Sequence, residues 1–265
     1  MAGEILRCAS CGLGFTTHRP SEAELSSLYQ DMSVDVYQSE RRAREATARR
    51  HLRVLNRFRS RGELLDVGCA SGLFIATAKS EGWGVLGIEP NAQLATEARQ
   101  RIGDPLSVLQ TTVEACEPNH GFDAITLWDV LEHVRDPVTV LSRCAKWLRT
   151  TGVIIANVPD LQSIQSRLLG QRWPLLLPEH LNYFTKRALE VCGAKAGLSV
   201  AAFGRRPVTF GLQYVTRRLR DHQVWGADCA HRMVSALRLG NTLVSLPLGE
   251  LYAVWNPINK QQNDY

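Results

Sequence analysis

Glu63-Leu64-Leu65-Asp66-Val67-Gly68-Cys69-Ala70-Ser71-Gly72 is the stretch that decides how this chain of 265 residues is read. A short apolar run of strand length ends in the carboxylate of Asp66, and two glycines four positions apart then open a segment of helical composition beginning Leu73-Phe74-Ile75. The pattern predicts a strand, a tight glycine loop and the first turn of a helix. Such a loop lets a ligand lie against bare backbone, with the helix dipole and unpaired N–H groups facing it.

Spacing then narrows the ligand. A dinucleotide loop needs Gly-x-Gly-x-x-Gly, and the three positions here read Gly68, Ala70 and Leu73, which argues against NAD and FAD. A triphosphate loop ends in Gly-Lys-Ser/Thr, whereas Gly72 is followed by Leu73 and Phe74, which argues against ATP and GTP. Asp66, just before the glycines, is a poor neighbour for pyrophosphate and a good one for an ammonium or sulfonium group. The loop asks for a cationic nucleoside.

With these residues in view the chain resembles the class I S-adenosylmethionine-dependent methyltransferases. Asp66-Val67-Gly68-Cys69-Ala70-Ser71-Gly72 matches their first motif, acidic-x-Gly-x-Gly-x-Gly, with Ala70 in place of the middle glycine. Gly82-Trp83-Gly84-Val85-Leu86-Gly87-Ile88-Glu89-Pro90-Asn91 is similar to the second strand and the acidic residue that holds the ribose hydroxyls. Gly121-Phe122-Asp123-Ala124-Ile125-Thr126-Leu127-Trp128-Asp129-Val130-Leu131-Glu132-His133-Val134 looks like the fourth strand and its continuation in small-molecule methyltransferases. The resemblance implies S-adenosylmethionine as cofactor, with Asp66, Gly68, Cys69, Ala70, Gly72, Glu89, Pro90, Trp128 and Asp129 around it. It also implies an adenine contact at Thr112 and Val113, a tyrosine closing over the site at Tyr37, and His180 facing the reaction centre with His133 as a second catalytic candidate.

A 45% hydrophobic chain of this length can bury a substantial core. No apolar run is long enough to cross a bilayer and the N-terminus lacks the order of a signal peptide, so a soluble cytoplasmic protein is expected. Seven cysteines, an odd number mostly isolated within periodic segments, fit reduced thiols used as small core residues.

The first 37 residues read as an appendage. Cys8-Ala9-Ser10-Cys11-Gly12 has the form of a zinc knuckle, but tetrahedral zinc needs four ligands and a second knuckle is missing; His18 is a third ligand by number alone. The segment resembles half of a ribbon appendage found in some members of this methyltransferase group. Residues 20–29 suggest a short helix with Ser21 as N-cap and Glu24 completing a capping box. From Ser39 to Arg61 nine arginines face Glu40 and Glu45, while Leu52, Leu55 and Phe58 recur at helical spacing. This basic helix (38–61) either attracts an acidic substrate or partner or is simply a solvated face.

Residues 62–206 read as the cofactor-binding core. Strands are expected at 63–67, 84–88, 106–110, 122–127 and 152–158 with helices at 72–81, 91–102 and 137–149, an alternation that predicts a Rossmann-like, doubly wound, mostly parallel sheet. The first-motif loop, Glu89 and the Trp128-Asp129 turn should then converge at the carboxyl edge where strand order reverses. Asp129-x-x-Glu132 also has the spacing of a capping box, which offers both carboxylates a structural role, and Asp136-Pro137 reads as an N-cap with proline in the first turn. The loop 172–185, broken by Pro174 and Pro178, should border the substrate, and His180 in it is suited to take a proton from a hydroxyl. A helix over 185–196, a strand at 197–203, a helical insertion within 207–247 and a last antiparallel strand at 249–255, ahead of the tail to 265, complete a seven-stranded sheet.

The reading is methyl transfer to a small-molecule oxygen, with carbon or nitrogen as variants and a non-catalytic cofactor-binding module holding an acidic partner as the rival. Enzymes acting on nucleobase amines carry Asn/Asp-Pro-Pro-Tyr/Phe where this chain has Leu127-Trp128-Asp129-Val130, so nucleic acid is disfavoured as a substrate.

Overall fold

The computed structural model describes residues 4–17, 24, 40–221 and 226–258. Tyr37, His18 and, apart from Glu24, the helix expected over 20–29 lie outside the described residues. In chain order the elements are β1 (Ile5–Arg7), β2 (Gly14–Thr16), α1 (Arg41–Leu55), β3 (Glu63–Val67), α2 (Leu73–Ser80), β4 (Gly84–Ile88), α3 (Ala92–Ile102), β5 (Val108–Leu109), β6 (Phe122–Trp128), α4 (Pro137–Trp147) and β7 (Leu148–Pro159). There follow α5 (Ile164–Leu169), β8 (Asn182–Tyr183), α6 (Lys186–Lys195), β9 (Leu198–Gly211), α7 (Leu212–Asp221), α8 (Ala227–Ala236) and β10 (Leu243–Pro257).

Seven strands form one sheet in the order β5-β4-β3-β6-β7-β10-β9. The first five of these run parallel, and β10 lies antiparallel between β7 and β9. Successive residues along each strand point to opposite faces, so the apolar runs feed two cores at once. Leu64, Ala124, Val153, Ile155, Tyr252 and Val254 pack with α1, α2 and α3 on one face. Leu65, Val67, Ile125, Leu127, Ile154 and Ala253 pack with α4 and α6 on the other. Strand order reverses between β3 and β6, which fixes where a ligand crevice opens.

Side-chain caps set the helix starts. Asn91 accepts from the Gln93 and Leu94 N–H groups, both at 3.0 Å, and Asp136 accepts from Val138 and Thr139 with Pro137 in the first turn. The capping box expected at Asp129 and Glu132 does not form. Asp129 takes a left-handed backbone (φ 58°), its N–H donates to the Asn157 carbonyl, and the chain continues in turns until the Asp136 cap. The cap with proline behind it is the better helix start, so the earlier carboxylates are released for other work.

Three strands run beyond their expected bounds, β7 by starting at Leu148 and the last two by a longer stretch. β9 and β10 continue past the sheet as an arm, paired from Leu243↔Gly211 to Leu246↔Val208, with α7 and α8 between them. Glu40 and Arg50 anchor this arm: the Glu40 carboxylate accepts the Gly211 N–H at 2.8 Å, and Arg50 donates to the Pro207 carbonyl and the Ser245 hydroxyl. The third parallel strand is shorter than expected, only Val108–Leu109. Separately, β1, β2 and β8 make a small antiparallel sheet, so the N-terminal hairpin braces the segment that carries His180.

Candidate active site

The first-motif loop folds over the end of β4. Gly68 and Cys69 both donate their N–H to the Ile88 carbonyl, at 2.8 and 3.0 Å, and Ala70 donates to Glu89 Oε2 at 2.9 Å. These loop N–H groups are therefore not left unpaired for a ligand, as the sequence pattern suggested; they hold the loop in shape. Glu89 Oε1 meanwhile accepts from the Asn91 N–H at 2.8 Å, so one carboxylate ties the first motif to the start of α3. Gly68 has φ +72°, and a Cβ there would come 2.8 Å from Val130 Cγ2. Ala70 adopts a left-handed backbone as well (φ 47°), the conformation that favours the glycine of the usual pattern.

Asp66 is almost wholly buried and accepts a hydrogen bond from Thr126 Oγ1 at 2.6 Å. Burial pushes its carboxyl up to about 8, with the Glu89 charge adding to the effect and the Thr126 bond opposing it. Glu89 is raised too, mainly by burial, against the pull of its two backbone donors. Cys69 is buried with its thiol pushed well up, a packing residue whose Sγ would lie 2.5 Å from a Cβ on Gly87. Pro90 and Thr112 are exposed; Val113 is buried, and its carbonyl accepts from Arg143 Nε at 2.9 Å.

At the end of β6 the Trp128 indole is sandwiched by residues the motifs did not single out. His51 of α1 stacks on it with ring centroids 3.8 Å apart, and Phe74 meets it edge-on. The Arg206 guanidinium lies 5.9 Å from the indole centre, with its side chain only 3% exposed. Arg206 pairs with Glu250 at 3.1 Å, stands 3.7 Å from Asp129, and donates through Nε to Asn157 Oδ1. Asn157 in turn donates to Asp129 and Glu250. His51 had a legible signal: with Ala48, Leu52 and Leu55 it falls on the inward face of a helix otherwise full of arginine. Arg206 had none, because the expected strand stopped at Phe203.

His180 and His133 come together. Their ring centroids lie 4.7 Å apart, edge to face. His133 Nδ1 is 3.0 Å from the Glu179 carbonyl and His180 Nδ1 is 3.0 Å from the Leu175 carbonyl. A carbonyl only accepts, so each Nδ1 carries the hydrogen and each neutral ring keeps its lone pair on Nε2. Burial lowers both; His180 falls to about 3, with the neighbouring His133 adding to the drop. Leu181 and Asn182 donate to the Glu132 carbonyl at 2.7 and 3.0 Å, which clamps the two histidine loops together. Glu132 is buried and its carboxyl is raised well above the usual range, chiefly by desolvation.

Glu132, His133 and His180 bring ligand atoms within 4.8 Å of one another, which makes them the group among the described residues able to hold a metal ion. Cys8 and Cys11 form the knuckle turn, with Cys8 N donating to Leu13 and Gly12 N to Cys8, and the Cys8 thiol is lowered to about 6, first by the Ser10 hydroxyl. Among the described residues no third ligand joins them.

A family model described as a methyltransferase domain matches residues 37–202, more than half of the chain. The chain belongs to that methyltransferase family. S-adenosylmethionine is the cofactor of these class I enzymes. Curated relatives of this methyltransferase include the ubiquinone biosynthesis O-methyltransferases of Vibrio cholerae, 37% identical over 34% of this chain and 38% of the relative, and of Aliivibrio fischeri, 34% identical over 41% and 48%. The chain spans less than half the length of the curated relatives it matches. A Thermotoga maritima structure described as a possible histamine N-methyltransferase matches with TM-score 0.58 at 17% identity, covering 89% of this chain and all of that one. Magnesium protoporphyrin IX methyltransferase from Synechocystis, solved with S-adenosylhomocysteine, matches with TM-score 0.51 at 17% identity over 69% of this chain and 86% of its own. The chemistry of the residues present fits such a cofactor: Asp66 and Glu89 are buried carboxyl groups flanking the first-motif loop, and a neighbouring cation would favour their ionised forms.

Proposed function

We propose that this chain methylates a hydroxyl oxygen of a small molecule with S-adenosylmethionine as donor. The observation that carries the reading is the pair of neutral imidazoles, half-buried His133 and buried His180, beside the turn that ends β6. The O-methyltransferase relatives agree with it.

The donor supplies a methyl group already activated on a sulfonium, so the protein's part is alignment and exclusion of water, worth roughly 7–11 kcal/mol when done well. Glu89 accepts from the ribose hydroxyls through the lone pairs that its bonds to Ala70 and Asn91 leave over. Asp66 faces the cationic part, Gly68, Cys69, Ala70 and Gly72 provide the backbone cradle, and Thr112 and Val113 border the adenine with Pro90 at the rim. Trp128 and Asp129 lie at the reaction end.

As the carbon–oxygen bond forms and the carbon–sulfur bond breaks, the hydroxyl proton must leave. Asp129 and Glu179 favour the charged form of His133, which makes it the better proton acceptor of the pair. His180, disfavoured as a cation by His133, stays neutral and borders the acceptor. The test is label transfer from S-adenosylmethionine to a panel of hydroxylated, amino and activated-carbon acceptors, with calorimetry of the donor run alongside. Label on oxygen supports the reading. Donor binding with no labelled product points to a binding module, and label confined to nitrogen or carbon overturns the choice of atom.

A further inference from the structure

Three nitrogens around Trp128 are buried without hydrogen-bond partners among the described residues: Arg206 Nη1, His51 Nε2 and the indole Nε1 itself. Buried polar groups of native proteins are nearly always paired, and an unmet donor is costly, more so when charged. The other Arg206 nitrogens are occupied by Glu250 and Asn157, so Nη1 is a surplus donor with a fixed positive charge behind it. Arg206 Nη1 and Trp128 Nε1 can only donate. His51 cannot take up a proton to supply more charge, because burial and then the Arg206 and Arg50 guanidinium groups hold it well below the usual range. Glu250 and Asp129 already face the Arg206 charge, so what the two obligate donors still lack is an oxygen acceptor, and a carboxylate offers two.

We propose that Arg206, His51 and Trp128 seat a carboxylate carried by the methyl acceptor. This assignment rests on the methyltransferase reading and deepens it by naming the acceptor's class, a hydroxylated carboxylic acid. A guanidinium nitrogen and an indole N–H suit a planar carboxylate with two oxygens, and the neutral His51 ring completes the wall by stacking on the indole. The arginine-rich α1 thereby has a specific contribution: its arginines at 41 and 49 bond Glu45 on the surface, while His51 turns inward to the site.

The experiment is calorimetry on the full chain, with and without saturating S-adenosylhomocysteine, using 3,4-dihydroxybenzoate and 3,4-dihydroxybenzamide as probes. The carboxylate probe is expected to bind about tenfold or more tightly than its amide. Arg206→Lys keeps the charge opposite Glu250 but removes the guanidinium fork, and should cut that preference to about threefold or less. His51→Phe keeps an aromatic ring against Trp128 but removes the unmet Nε2, and should weaken the carboxylate probe several-fold and the amide by less. Equal binding of the two probes, a preference that survives both variants, or no binding of either at several millimolar overturns the assignment. If the nucleoside itself fails to bind, the methyltransferase reading falls instead, and the carboxylate preference of the cofactor-free chain still decides this one.

Discussion

The Asp66 carboxylate accepts the Thr126 hydroxyl at 2.6 Å inside the sheet, between the two strands where the topology reverses. The bond opposes but does not cancel the burial that raises the carboxyl to about 8. Without a ligand, Asp66 is therefore mainly protonated at neutral pH.

A cation beside Asp66 favours its ionised form, so cofactor binding at pH 7 should release up to one proton and tighten as pH rises toward 8. Calorimetry in two buffers of different ionisation enthalpy measures this directly; a binding heat independent of buffer would contradict it. The same residue makes the free protein less stable with rising pH. Its folded value lies above its unfolded one near 3.9, so the folded state holds more protons between them and loses up to about 1.4 kcal/mol per pH unit across that window. Asp66→Asn should flatten that slope and weaken cofactor binding.

Glu89 braces Ala70 and Asn91, and under the proposed function it also offers oxygens to a ribose. Glu89→Ala is expected to weaken nucleoside binding by about 10-fold to 100-fold, the size of one or two hydrogen bonds to a charged group. Glu89→Gln, which keeps one acceptor oxygen, should lose less. Titration calorimetry with S-adenosylhomocysteine distinguishes the two, and an unchanged affinity in the alanine variant would remove Glu89 from the site.

For the histidines, His133→Ala should lower kcat for an oxygen acceptor by about 100-fold or more while leaving nucleoside affinity near that of the parent. His180→Ala should act chiefly through the acceptor's KM. Both rings are lowered from 6.5, so kcat/KM is expected to be flat between pH 7 and 8 for an acceptor that does not itself titrate there, with the acid limb below 6.5. An acid limb centred above 6.5 would exclude this pair as the base.

Gly72 holds φ +75°, and a Cβ there would lie 2.8 Å from Ala98 Cβ and 2.9 Å from its Cα. Gly72→Ala combines a left-handed backbone with a clash against α3 and should destabilise by roughly 2–5 kcal/mol. Gly103 has a similar φ and nothing within 4 Å, so Gly103→Ala should cost only about 1 kcal/mol. Denaturant midpoints of the two variants provide the comparison.

Much of the cofactor end was legible because it is written in consecutive residues. The apolar runs of β3, β4 and β6, the glycines after β3 and the Asp136 cap are local patterns, and each became the element expected. Errors occurred where local patterns compete. Asp129-x-x-Glu132 carries the spacing of a cap, yet the Asp136-Pro137 cap begins the helix and Asp129 turns to Asn157 instead. The arm strands escaped notice because they never reach full burial along β10: residues 243–248 alternate only between exposed and half-buried, and Pro247 breaks the apolar run.

What the sequence alone determined is the parallel core, the loop that follows Asp66 and the placing of Glu89, since strand period, glycine freedom and capping act within a few residues. Tertiary structure decided which distant groups gather around Trp128 and the histidine loops. It laid His51 on Trp128 from a helix near the start of the chain, brought Arg206 against Glu250 and Asp129 from the arm, and clamped His133 to His180 through the Glu132 carbonyl. These groups meet only because seven strands close in one order, and no short-range pattern encodes which distant side chains will then share a desolvated space.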